Sequence, residues 1–136
     1  MRRFIPVACL AVLAAAPPAT ATSQDAAMGQ ALFARYCATC HGLDATGGGP
    51  MSPNLVVQPT DLTALSAGND GVFPTFQVVS RIDGRDPLVA HGSPMPVFGD
   101  FFQGRDAAMK TDAGQPILTS QPIIDLVAWL RGLQVR

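Results

Sequence analysis

The chain has 136 residues, 48% hydrophobic and 14% charged, and its 9 basic and 10 acidic side chains give a formal net charge of −1. That length and apolar content describe one domain with a core of its own and exclude a disordered chain. With no basic surplus and no run of like charge, the sequence has no electrostatic footprint for nucleic acid, and that class of partner is excluded as well.

The first residues read as an export address. Arg2 and Arg3 form a positive n-region, Phe4 to Ala16 is apolar, and Ala19-Thr20-Ala21 is a small-residue cleavage site. Cleavage after Ala21 is expected, making residues 1–21 a signal peptide, residues 22–136 the working domain and the periplasm its location. A retained anchor needs about 20 apolar residues, more than this segment supplies, so no stable membrane insertion is expected after cleavage. Cys9 lies inside the apolar stretch, where lipidation is not expected. Cleavage leaves Cys37 and Cys40 as the remaining cysteines, too close together to staple a fold.

Asp25 predicts the N-cap of a helix over residues 26–36, with Gly29, Phe33 and Tyr36 along one face. At its end stands Cys37-Ala38-Thr39-Cys40-His41, the Cys-x-x-Cys-His pattern of covalent c-type haem attachment. Two residues between the cysteines let both sulfurs reach the two vinyl groups on one porphyrin edge as thioethers. The adjacent histidine then turns its ring under the iron as proximal ligand. A thioredoxin-like redox pair wants a βαβ pattern around it, and a zinc site wants a second Cys/His pair. Neither companion is present. One covalent haem c is expected, held by Cys37 and Cys40, with His41 on the iron.

Further along, Gly47, Gly48, Gly49, Pro50, Pro53 and Pro59 predict a long irregular loop. Asp61 to Ser66 reads as a short helical turn. Asn69-Asp70-Gly71 precedes a helix from about Phe73 to Ile82, with Pro74 in its first turn, Phe76, Val79 and Ile82 as its apolar stripe, and Gly84 at its end. Ser120 predicts the cap of a last helix in which Ile123, Leu126, Val127, Leu130 and Gln134 recur at helical spacing. Four side chains are candidates for a distal iron ligand: Met51, His91, Met95 and Met109.

Together these landmarks resemble the small monohaem class I cytochromes c, over nearly all of residues 22–136. The resemblance implies an all-α cytochrome c fold, with N- and C-terminal helices packed together and a third helix and long loops wrapping one covalently bound haem. Gly29 with its neighbouring aromatics looks like the family's N-terminal helix, where the glycine allows close approach of the C-terminal helix. Trp129 stands where the family places an aromatic that packs on that first helix. Pro53-Asn54-Leu55 is similar to the family's Gly-Pro-x-Leu stretch, which implies that Pro53 and Leu55 border the haem. It also implies that the Pro53 carbonyl accepts the proton on the other ring nitrogen of His41. Ser52 stands where the family has glycine, and Pro50, preceded by Gly49, competes for that role. Pro94-Met95-Pro96 looks like the family's Met-Pro axial motif, which implies Met95 as distal ligand, with His91 as its rival. The flanking prolines stiffen the loop and lower the entropy lost when a weak thioether donor is held on iron.

With both axial positions filled, what remains is one-electron exchange through the exposed porphyrin edge. The expectation is therefore a soluble periplasmic one-electron carrier rather than an enzyme, with redox proteins as donor and acceptor. A haem subunit of a periplasmic dehydrogenase or oxidase would use the same motifs, and a gas-binding sensor haem would require Met95 to be off the iron. Lys110 is the only lysine, so docking is expected to rest on apolar contact around the haem edge more than on charge steering. The aspartates are expected at caps, turns and solvated surface.

Overall fold

Asp25 accepts hydrogen bonds from the backbone N–H groups of Ala27 and Met28 and so starts helix α1, Ala26–Tyr36. A computed structural model of the protein describes residues 23–85 and 94–135. The expected signal segment, residues 1–21, and the ligand candidate His91 lie outside the described residues. Helix α1 closes at Cys37, whose N–H donates to the Phe33 carbonyl, and a one-turn helix α2, Ala38–His41, follows directly.

Three 3-10 turns, Ser52–Asn54, Leu62–Ala64 and Ala67–Asn69, punctuate the long segment between α2 and α3. The second of these is the helical turn expected at Asp61–Ser66, and Asp61 caps it. Helix α3 runs Thr75–Asp83, with Pro74 just ahead of its first turn and Gly84 ending it at φ +85°, a left-handed backbone that glycine adopts without strain. Val79 and Ile82 are buried, but Phe76 is 60% exposed, so the third member of the expected stripe faces solvent.

Helix α4, Gln121–Gly132, packs directly on α1. Gly29 makes this possible: a Cβ built there would stand 2.0 Å from the carbonyl oxygen of Asp125. Phe33 and Trp129 meet nearby, with ring centroids 4.4 Å apart, as the expectation for Trp129 requires. Ile123, Leu126, Val127 and Leu130 of α4 are buried, each contributing on the order of 1.5–3 kcal/mol by leaving water. Ser120 holds the N-cap position but its hydroxyl makes no cap hydrogen bond. Asp125 departs from the expected surface role of the aspartates. It is buried in α4, where one oxygen accepts from the Asp25 N–H and from Gln121 Nε2.

The all-α expectation needs one amendment. Between the Met95 segment and α4 lies an antiparallel hairpin, β1 (Asp106–Lys110) and β2 (Pro116–Ser120), in the register Asp106↔Ser120 to Lys110↔Pro116. Ala107, Met109, Ile117 and Thr119 point inward in strict alternation. Gln134, placed by its spacing at the end of the last helix, lies beyond it. Its amide donates to the Leu62 and Leu130 carbonyls and accepts from the Ser66 N–H, tying the C-terminal end to the segment between α2 and α3.

Candidate haem-binding site

A cavity of about 450 Å³ opens between α1, α3, α4 and the loops, within the range of roughly 300–1,000 Å³ typical of small-molecule sites. Helix geometry puts the proximal set on one stretch of its wall. Cys37 and Cys40 flank a single turn, His41 follows on the next residue, and all three side chains line the cavity. The segment after α2 folds back onto it, through Gly47 N–H to the His41 carbonyl, Gly49 N–H to that of Cys40 and Met51 N–H to that of Thr39. Loop and motif are thereby held as one unit.

No disulfide joins the two cysteines. Burial first, and then the neighbouring Cys40, pushes the Cys37 thiol up to about 11. A redox-active Cys-x-x-Cys calls for the opposite, a thiolate stabilised below its ordinary range. Among the described residues no group of three or more His, Cys, Asp and Glu side chains is placed to hold a metal by itself, and the zinc alternative gains no second pair.

Burial lowers the His41 pKa, opposed by a hydrogen bond with the Thr60 carbonyl, so the ring is neutral at neutral pH and has a lone pair to give. In that hydrogen bond His41 Nδ1 lies 3.3 Å from Thr60 O, where the resemblance implied the Pro53 carbonyl. Pro53 is exposed on the turn Ser52–Asn54 and does not line the cavity. The loop runs on past it before returning to the ring, and Thr60 is the residue that arrives there. Leu55 does line the cavity, with Val57, Gln58 and Pro59 after it. Gln58 fixes that run, donating to the Ser52 and Leu55 carbonyls and accepting from the Ser52 hydroxyl.

Of the three distal candidates among the described residues, Met95 alone lines the cavity, between Pro94 and Pro96, which line it too. Met51 is 44% exposed and Met109 is buried in the hairpin, and neither reaches the cavity. The remaining wall is mainly apolar: Phe33, Leu62, Leu65, Val78, Leu126 and Leu130. A flat apolar macrocycle is suited by such a wall, its vinyl edge by the thiols, its iron by neutral imidazole and thioether, and its carboxylates by the Arg81 guanidinium, which also lines the cavity. The residues present fit a haem.

Sequence reasoning missed part of this wall. Tyr36 and Phe98 line the cavity and belong to a ring cluster with Phe101 and Phe102, at centroid separations of 5.0 to 6.1 Å. The signal for it was the aromatic run Phe98 to Phe102, three phenylalanines close behind the Met95 loop. Thr60 and Gln58 carried no signal, because their roles follow from where the loop returns.

The family model described as Cytochrome c matches residues 26–134, so nearly all of the described chain is covered. The chain belongs to the cytochrome c family. Its class is thus a small haem-binding electron-transfer protein of c type, with redox proteins as the general kind of partner. No curated protein and no solved structure matches the chain. Among the described residues no helix is long and apolar enough to cross a membrane.

Proposed function

We propose that the protein is a periplasmic one-electron carrier with a single haem c. Its thioether bonds are to Cys37 and Cys40, its proximal ligand is His41 and its distal ligand is Met95. The observation that carries this reading is the sharing of one cavity by His41, both thiols and Met95, with Met51 and Met109 elsewhere. A haem held by Cys37, Cys40, His41 and Met95 would supply a one-electron couple, and with both side chains as ligands no position would be left for substrate or oxygen. The protein's own residues do the rest. Thr60 orients the His41 ring through its carbonyl, the apolar wall excludes water, and the paired prolines restrict the Met95 loop. Export through residues 1–21 brings the chain to the compartment where the haem is attached.

The exposed apolar pair Val56 and Val57, the latter at the cavity, supports contact with a redox partner beside the haem. It also keeps open the second reading, a permanent haem subunit of a dehydrogenase or oxidase. Co-purification of a catalytic subunit with the native protein would favour that second reading.

The test is the absorption spectrum of the purified protein, oxidised and reduced. A ferric sulfur-to-iron charge-transfer band in the red and no carbon monoxide binding to the ferrous form are expected. Met95→Ala should remove the band and admit carbon monoxide. A wild-type ferrous protein that binds carbon monoxide under native conditions would instead make the chain a gas-binding haem.

A further inference from the structure

The hairpin that the sequence did not announce grips helix α3 at both ends. At the N-terminal end the turn residue Asp112 accepts from the Thr75 hydroxyl at 2.5 Å and from Arg131 Nη2 of α4 at 3.0 and 3.2 Å. Arg131 Nη2 also donates to the Thr75 oxygen, and its guanidinium lies 5.4 Å from the Phe73 ring centroid. Thr75 is buried, in the first turn of α3. At the C-terminal end Asp83 is paired with Arg85, Arg85 Nη2 donates to the Leu118 carbonyl of β2 at 2.7 Å, and the Thr119 hydroxyl approaches Asp83 Oδ2 at 3.5 Å.

Helix α3 in turn seats the methionine segment. The Phe98 N–H donates to the Ile82 carbonyl at 2.8 Å. A Cβ built on Gly99 would stand 2.3 Å from the Asp83 carbonyl oxygen, and one on Gly84 would stand 2.3 Å from Val97 Cγ1, so backbone and side chain close tightly on the last turn of α3. The same helix lines the cavity through Gln77, Val78, Arg81 and Ile82. A chain of direct contacts therefore runs from Asp112 through Thr75 and α3 to the loop that carries Met95.

We infer that hairpin β1–β2 is a brace on α3, and that Asp112 is a positioning residue setting how firmly the Met95 sulfur is held against an incoming ligand. The inference rests on the reading of Met95 as distal ligand. A thioether is a weak donor, so its hold depends on how little the loop and its seat can move. Freeing the first turn of α3 loosens the seat and leaves the cysteine and histidine side of the cavity untouched.

The measurement is imidazole displacement of the sulfur in the ferric holoprotein, followed by loss of the red charge-transfer band and read beside the guanidinium unfolding midpoint. Asp112→Ala and Thr75→Val should each lower the apparent imidazole dissociation constant by about fivefold to tenfold, the scale of a partly exposed charge-assisted hydrogen bond. Thr75→Ser, which keeps the hydroxyl, should behave as the wild type. Asp112→Asn carries the same test at smaller amplitude, with the side-chain volume conserved. Asp25→Ala, which removes the cap of α1 far from α3, should lower the unfolding midpoint without changing the imidazole constant. An unchanged constant in Asp112→Ala and Thr75→Val, or an equal fall in Asp25→Ala, overturns the brace while the wild-type band leaves Met95 in place. A wild type without the band, matched by Met95→Ala, overturns the ligand reading and the brace together.

Discussion

The two sides of the cavity are built by different means. On the proximal side, Cys37, Cys40 and His41 fall within five consecutive residues, and one helical turn presents all three. On the distal side, the segment that follows Met95 is bonded to α3 through Phe98, and α3 is bonded in turn to the hairpin turn, which also holds Arg131 of α4. On the proposed reading, the comparison teaches that a covalent anchor is set by local backbone geometry, whereas a weak thioether ligand depends on packing among distant segments. Damage to the first should be all-or-none, and damage to the second graded.

The strongest break is to the proximal side. Cys37→Ala with Cys40→Ala should abolish covalent attachment, so that no haem stays with the polypeptide on a denaturing gel. Haem retained there would refute attachment at this motif. Next in size is the helix pair on which both sides stand. Gly29→Ala forces a methyl group against the Asp125 carbonyl and should destabilise the protein by about 1–3 kcal/mol, as overpacking does. Equilibrium denaturation measures this, and a midpoint equal to wild type would mean that α1 and α4 are not in close contact there. The smallest effect is at Gln134. Gln134→Ala leaves the Leu62 carbonyl and Ser66 N–H without their partner and should cost about 1–2 kcal/mol. Covalent attachment should be unaffected, which sharpens the contrast between the anchor and the packing around it.

The same contrast explains what was legible in the sequence. Asp25 as a cap, the run from Cys37 to His41, Gly29 and Trp129 at a helix crossing, and Met95 between prolines are each carried by a few neighbouring residues; the cap and the helix crossing stand as expected, and Cys37, Cys40, His41 and Met95 line one cavity. The hairpin was harder to see, because Asp106–Lys110 is rich in alanine and carries no β-branched residue. Its usable signal was the turn Asp112-Ala113-Gly114. The partner of His41 was not legible from the Pro53 stretch. Which carbonyl meets the ring depends on the return path of a loop pinned by Gln58, and no local pattern encodes a return path.

The bond from the Asp25 N–H to Asp125 spans 100 positions in the chain. The helix that introduces the haem motif therefore has its packing partner at the other end of the polypeptide, and the pair forms only by closing a very long loop. The entropy of that closure grows slowly with length, yet it must be met before any of the apolar burial between α1 and α4 is gained, which favours slow, cooperative folding. A chain interrupted before Gln121 would leave Gly29 and Phe33 facing water, with no second surface to take them. Arrival of the last helix, rather than formation of the first, is thus what admits this protein to its native state.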